Sequence, residues 1–174
     1  ARYGESAEAY TSALAYTTDA LPRAILYCEA GEAATAQMDF GTAQDRFEQA
    51  LQELAVLDAP GEPWWRAWLD IKQAWAALYY YQAQLADLDA VLSEIAVPMA
   101  KHGTARQKAD YYGALTQLTF RRERYVGSTE LMAYVSEALH WAEASGDAEK
   151  IALHRFGYGF ALLTMRRLDE ALVS

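Results

Sequence analysis

Apolar residues recur along the chain at intervals of three and four, the spacing of one face of an α-helix. No stretch alternates apolar and polar residues for long enough to indicate a strand. Capping residues, prolines and glycines divide the pattern into segments. The segments predict eight helices, at 5–17, 21–38, 42–57, 64–84, 86–101, 104–123, 128–145 and 147–165, with a ninth beginning near 168. The fold is therefore expected to be all-α.

The breaks between helices have local causes. Thr104 and Gln107 have the spacing of a capping box, in which each side chain satisfies a free backbone amide. Two prolines and a glycine make 58–63 the clearest loop, and 145–147 supplies a glycine to end one helix and an aspartate to begin the next. Pro98 falls inside a helical pattern, so we expect a kink or an early end there.

A small residue is followed twelve positions later by the start of an apolar seam. Short loops predict antiparallel helix pairs, and offsets of four and three place each seam on one helix face. The second helices contribute Ala43, Phe47 and Ala50, then Leu88, Leu92 and Ile95, then Leu131, Val135 and Ala138, and finally Ala171. The first helices contribute the small residues Gly31, Ala76, Thr119 and Gly159. The seam starts are separated by 45, 43 and 40 residues (43 to 88, 88 to 131, 131 to 171), which predicts a repeat protein.

These residues resemble tetratricopeptide repeats. Gly31 with 39–51 follows the repeat pattern, and Gly159 with 167–172 follows its middle part. The segment 137–147, running on to Gly159, resembles the longer variant found in MalT-like helical domains of large ATP-dependent bacterial transcription regulators and of related signalling ATPases. The resemblance implies a right-handed superhelical solenoid of about three full repeats plus partial ones at both ends. It also implies that residues 1–174 form a single repeat domain, whose first helices line a concave groove.

Composition and charge narrow the functional classes. Apolar residues make up 53% of the 174, enough for a sizeable core. A formal net charge of −9 at pH 7 repels a phosphate backbone, so no direct nucleic-acid contact is expected. The apolar runs are too short to cross a bilayer, and the first residues do not form a signal peptide. The single Cys28 cannot form an internal disulfide, which fits the cytoplasm. A first residue other than Met and an unfinished final helix predict a fragment of a longer protein.

The sequence contains no recognisable catalytic constellation. Its histidines are His102, His140 and His154, and only His140 with Glu143 has ligand-like spacing, where a metal site needs three or four convergent ligands. There is no elbow motif and no Walker-type phosphate loop. We therefore expect no enzyme activity, no cofactor and no metal.

Aromatic and basic residues are the candidates for binding. The helix at 64–84 carries Trp68, Trp75 and Tyr79 toward the seam and Tyr80 and Tyr81 toward the groove. The candidate groove residues are Tyr80, Tyr81, Phe120, Phe156 and Phe160, with Arg121 and Arg124 at the rim. Two alternatives remain open: the aromatic residues fill space between hairpins, and the arginines complement helix C-termini rather than bind an anion or an acidic partner.

The expected function is a non-catalytic protein- or ligand-binding repeat module of a cytoplasmic bacterial signalling or transcription regulator. Its partner would be a protein or peptide, or a small-molecule inducer, and binding would change the curvature of the solenoid or its self-association. The alternative is a protein scaffold or self-association module that binds no small ligand, including one that pairs as a homodimer.

Overall fold

The computed structural model of the protein describes residues 2–57 and 61–166, with side chains from residue 9 onward. In these residues the chain forms eight α-helices and no strand. They are α1 (Arg2–Tyr16), α2 (Ala20–Ala36), α3 (Phe40–Ala55), α4 (Glu62–Tyr81), α5 (Leu85–His102), α6 (Ala105–Arg122), α7 (Thr129–Ser145) and α8 (Ala148–Thr164). Each helix begins and ends within about three residues of its predicted position. The all-α prediction is confirmed for this part of the chain, and the predicted ninth helix lies outside it.

The chain divides into two compact units, Ala1–Val91 and Leu92–Ser174, and the division falls inside α5. In the first unit, α2 packs against α1, α3 and α4, and α4 also contacts α3. In the second unit, α6 packs against α7, and α8 contacts both. Each unit therefore contains a helix pair and a following helix that touches both members of the pair.

Helices α2 and α3 run in opposite directions. Near the turn that joins them, Gly31 lies against the ring of Phe47. At the far end of the pair, Nε of Arg23 donates a hydrogen bond of 2.7 Å to Oε1 of Glu53. Because contacts pair early residues of α2 with late residues of α3, the two helices form an antiparallel pair.

Helices α6 and α7 pair in the same way. The ring centroids of Tyr112 and Tyr134 are 6.4 Å apart, and the Lys108 ammonium lies 4.5 Å from the centroid of the Trp141 ring. Moving toward the start of α6 thus moves the contact toward the end of α7. Aromatic and cation–π contacts of this kind stabilise the helix pair in addition to the burial of apolar side chains along the seam.

The described seam residues occupy buried faces in most cases. Those that are buried are Gly31, Ala43, Phe47, Ala50, Ala76, Leu88, Leu92, Ile95, Thr119, Leu131, Val135 and Ala138. Gly159 is half-buried, and Ala171 lies outside the described residues. At Gly31, an added Cβ atom would lie 2.6 Å from Cδ1 and 3.0 Å from Cζ of Phe47. The α2 backbone therefore approaches this ring more closely than a side chain would allow.

Two of the predicted helix boundaries form as expected. Thr104 Oγ1 accepts a hydrogen bond of 3.2 Å from the Gln107 amide, and Gln107 Oε1 accepts one of 3.0 Å from the Thr104 amide. This reciprocal pair is the predicted capping box, which is confirmed. Gly146 ends α7 in the left-handed conformation (φ 71°), and Asp147 caps α8 by accepting from the amides of residues 149 and 150.

The expected early end at Pro98 is wrong, because α5 continues through it to His102. Proline has no amide hydrogen to donate to the carbonyl of Glu94, four residues earlier, so one rung of the helix ladder is absent. Ile95 and Met99, on either side of Pro98, are buried. Burial of their side chains keeps this segment helical despite the missing hydrogen bond.

The turns that follow α2, α4, α6 and α8 share a feature that the sequence pattern did not predict. Each contains a non-glycine residue in the left-handed conformation: Met38 (φ 62°), Ala83 (φ 58°), Arg124 (φ 51°) and Arg166 (φ 59°). After the first three of these residues, an amide donates to a carbonyl five residues back: Asp39 to Ala34, Gln84 to Tyr79 and Tyr125 to Phe120, at 3.0, 2.9 and 2.8 Å. This is the Schellman arrangement, in which glycine is the usual left-handed residue. The four residues are 45, 41 and 42 positions apart (38 to 83, 83 to 124, 124 to 166), so this turn conformation recurs at similar intervals.

Replacing Ala83 with glycine is expected to raise the free energy of unfolding by about 0.5–1 kcal/mol, because glycine adopts positive φ without steric strain. The matched control is Ala77→Gly, at an exposed position inside α4, which should lower it by about 1 kcal/mol. Urea denaturation of both variants measures the two effects. Equal destabilisation by both glycines would contradict the left-handed turn at Ala83.

Candidate functional site

The residues that were considered as metal ligands or as a nucleophile lie on an exposed helix face or in the core. In residues 2–57 and 61–166, no three His, Cys, Asp or Glu side chains come together in a way that could hold a metal ion. His140 is exposed, and its ring centroid lies 5.2 Å from that of Trp141. Glu143, which has ligand-like spacing from His140, accepts a hydrogen bond of 3.1 Å from Arg155. His140 and Glu143 therefore lie one turn apart on the exposed face of α7.

The one cysteine is held in an unreactive form. Cys28 is buried in α2, and burial raises the pKa of its thiol, with the nearby charge of Glu32 adding to the effect. A thiol with a raised pKa stays protonated near neutral pH and is a poor nucleophile and a poor metal ligand. Cys28 therefore acts as a small apolar residue beneath the helices that pack on α2.

The aromatic residues of α4 fall into two groups. Trp75 is buried, and its ring centroid lies 5.6 Å from Phe47 and 5.5 Å from Tyr79, in the packing between α3 and α4. Trp68 is half-buried with Trp64 and Trp65 at the start of α4. Trp64 donates from its indole nitrogen to the carbonyl of Leu54 at 3.0 Å, which ties this group to the end of α3.

Tyr80 and Tyr81, the candidate binding residues of the first unit, lie at the end of α4. Their ring centroids are 5.8 Å apart with an interplanar angle of 69°. Tyr81 is exposed and Tyr80 is half-buried. Of the two, Tyr81 has the surface to contact another molecule.

The first unit also contains a cavity of about 120 Å³ between α1, α2 and α3. Its polar lining is already used in the fold. Arg46 donates to Gln49 at 2.9 Å, and Asp39 accepts from the Thr42 amide at 3.2 Å as the cap of α3. A cavity of this size, with its charged groups engaged in local contacts, is small for a ligand site.

In the second unit, the structure places Phe120 in the core rather than on a groove. Phe120 is buried together with Leu131, Val135 and Ala161. It lies under Phe160, with ring centroids 5.4 Å apart, because α8 packs across the helix pair at this point. Spacing alone could not distinguish Phe120 from its exposed neighbours, since the covering helix comes 40 residues later in the chain.

Phe156 and Phe160 are exposed on α8. Their rings are stacked, with centroids 6.4 Å apart and an interplanar angle of 16°. Leu153 and Leu163, which the sequence analysis did not select, continue the same line at intervals of three, four and three residues. The exposed fractions of Leu153, Phe156, Phe160 and Leu163 are 57%, 73%, 39% and 50%. We call these four residues the α8 stripe.

The turn that follows α6 carries two further exposed apolar residues. The ring of Tyr125 is stacked on Phe120 at 5.7 Å, and Phe120 in turn contacts Phe160. Tyr125 and Val126 are both exposed. Clusters of exposed large apolar residues are candidates for interaction sites.

The candidate arginines differ in position. Arg121 is half-buried in the last turn of α6, whereas Arg124 is exposed in the left-handed turn. Arg121 and Arg122 occupy the C-terminal turn, where cations complement the helix dipole. Arg124 precedes Tyr125 in the turn that follows α6.

Among the described helices, none combines the length and the apolar content that a membrane span requires. A comparison of the chain with known protein families, curated proteins and solved structures finds no match.

Proposed function

We propose that the chain is a non-catalytic protein-binding module, built as a right-handed solenoid of tetratricopeptide-like helix pairs. The recurring left-handed turns and the antiparallel pairs α2–α3 and α6–α7 support the repeat. The observation that carries the proposal is the α8 stripe, a line of large apolar side chains exposed on one helix. Proteins bind amphipathic helices through surfaces of this composition.

Two of the four stripe residues fall on the face that is buried in the corresponding helix of the first unit. If the turns at Met38 and Arg166 are taken as equivalent, Phe156 corresponds to Cys28 and Leu163 to Thr35. Cys28 and Thr35 are both buried in α2, where α3 and α4 pack. Leu153 and Phe160 correspond to Ile25 and Glu32, which are exposed in α2, so only part of the α8 stripe falls on the face that packs in the first unit.

A protein partner is favoured over a small ligand. The stripe side chains form a line along the helix, whereas small molecules bind in concave pockets. A line of Leu and Phe can contact the apolar anchor residues of a docked helix. Net charge disfavours nucleic acid. The role in a cytoplasmic bacterial signalling or transcription regulator is part of the proposal, and its support is the resemblance of 137–147 to MalT-like repeats.

The test is site-specific photocrosslinking in the cells that make the protein. The photoreactive residue p-benzoylphenylalanine replaces Phe156 and, as the matched control, Gln117, which is exposed on α6. The expected result is a discrete protein adduct from position 156 and none from position 117. Absence of any adduct from position 156 would contradict the proposal, and so would equal labelling from both positions.

A further inference from the structure

The first half of α8 has few buried contacts with the rest of its unit. Among residues 148–156 only His154 is buried, whereas Lys150 and Ile151 are half-buried and the others are exposed. The second half of the helix carries the buried residues Ala161 and Leu162. His154 is therefore the main side chain that attaches the first half of α8 to α6.

Glycine residues bound this half of the helix. Gly146 precedes the cap residue Asp147 and adopts the left-handed conformation (φ 71°). Gly157 lies inside α8 with open space where its Cβ would be, so it does not serve a close approach of two backbones. Because glycine has a lower helix propensity than alanine, Gly157 weakens α8 at this point. Residues 147–156 thus have, at each end, a residue that permits a change of backbone conformation.

The site of His154 suits a neutral imidazole. Its Cε1 lies 2.9 Å from where a Cβ atom on Gly113 would be, so the ring packs directly against the α6 backbone. Its Nε2 is buried and has no hydrogen-bond partner within residues 2–57 and 61–166. A positive charge in such a place is less stable than a neutral ring, and burial accordingly lowers the pKa of His154.

The charged groups around His154 already have partners. Asp110 of α6 pairs with Lys150 of α8, and both lie close enough to act on the imidazole. From α7, Glu143 pairs with Arg155, the residue that follows His154 in the chain. A proton on His154 would therefore add a positive charge near Lys150, while the carboxylates of Asp110 and Glu143 are engaged elsewhere.

We infer that protonation of His154 releases residues 147–156, the first half of α8, from α6, while the second half of α8 and the α6–α7 pair stay folded. In the released segment the imidazolium is in water, so the released state binds a proton that the packed state excludes. A helix this short is only marginally stable in water, so the released segment also loses its backbone hydrogen bonds. Leu153 and Phe156 lie on this segment, so its release would also divide the α8 stripe.

The size of the effect follows from proton linkage. An imidazole in water has a pKa of about 6.5, so the ratio of released to packed molecules should rise about tenfold between pH 7.5 and pH 5.5. Because the release exposes little surface, it should hardly respond to urea, whereas global unfolding responds steeply.

Hydrogen–deuterium exchange of the whole chain, read by mass spectrometry at both pH values with and without about 1 M urea, tests the inference. After correction for the intrinsic pH dependence of exchange, protection of the amides in 151–156 should fall about tenfold at the lower pH and should not change with urea. Protection in 115–120 of α6 and in 160–163 should be at least about tenfold higher and should fall with urea. If 151–156 responds to urea as steeply as α6, or if 160–163 is released with it, the inference is overturned.

Three variants test whether the imidazole causes the release. His154→Leu should abolish the tenfold response of 151–156, and His140→Gln, at an exposed position on α7, is the control. Lys150→Met should reduce the response from about tenfold to less than about threefold, because it leaves Asp110 free to pair with the imidazolium in the packed state. This variant keeps the test decisive if His154→Leu fails to fold. A response that persists in His154→Leu, or that Lys150→Met leaves unchanged, would overturn the inference.

Discussion

Gly31→Ala is expected to lower the free energy of unfolding by about 2–3 kcal/mol. The new methyl group would overlap the ring of Phe47, and this ring has little room to move because it is fully buried and packs against Trp75. Overpacking of a close-packed site costs about 1–3 kcal/mol, and this overlap involves three ring atoms. Alanine has a higher helix propensity than glycine, so a loss of unfolding free energy in this variant reports the close approach of α2 and α3.

Two further variants separate the steric effect from helix propensity. Gly157→Ala is the matched control, since Gly157 lies inside α8 with open space where its Cβ would be, and it should raise the free energy of unfolding by about 0.5–1 kcal/mol. Phe47→Leu removes part of the ring. In the double variant Gly31→Ala with Phe47→Leu, the loss should be smaller than the sum of the two single losses. Additive losses in urea denaturation would mean that the two positions are not in contact.

Acidification from about pH 6.5 to about pH 5.5 is expected to destabilise the protein through His154. This side chain is buried between α6 and α8, with its ring against Gly113, and in the described part of the chain its Nε2 has no hydrogen-bond partner. Burial lowers the pKa of His154. Of the charges that act on it, Asp110 of α6 raises the pKa and Lys150 of α8 lowers it, while these two residues pair with each other.

The direction of the pH effect follows from that lowered pKa. Above the unfolded-state pKa of about 6.5 the imidazole is neutral in both states, and its contribution to stability is intact. As the pH falls below this value, the unfolded chain binds a proton that the folded chain does not, so stability is lost until the lowered pKa is reached. The slope is at most about 1.4 kcal/mol for each pH unit.

Two variants test whether His154 causes this dependence of the unfolding free energy on pH. His154→Leu should flatten the dependence of the unfolding free energy on pH in this range, and His140→Gln, at an exposed position, is the control. Urea midpoints at pH 7.5, 6.5 and 5.5 provide the comparison. An equal slope in wild type and His154→Leu would show that another group titrates.

The features that were predictable from the sequence are those with local causes. The capping box at Thr104 and the glycine end at Gly146 depend on neighbouring residues, so they formed where the pattern placed them. The helix bounds followed from apolar periodicity, which also depends on residues that are close in the sequence. The helix did not end early at Pro98, because burial of the surrounding helix outweighs one missing hydrogen bond.

Features that depend on distant packing were not predictable. Phe120 and Phe160 were both predicted to line the groove, yet one is in the core and the other is exposed, because α8 covers the first and no described helix covers the second. Leu153 and Leu163 became candidates only when the structure showed them exposed. Their spacing of three, four and three residues with Phe156 and Phe160 places them on one helix face. A buried helix face has the same spacing, so the sequence alone could not identify them as exposed.

The left-handed turns also bear on the order in which the structure forms. A non-glycine residue such as Met38 or Ala83 disfavours positive φ by about 1–2 kcal/mol, so an isolated turn of this sequence is mostly open. The turn therefore closes only when helix contacts such as Gly31 with Phe47 hold it in place. Folding of each pair is then expected to begin with collision of the helices, and the connection between them orders last.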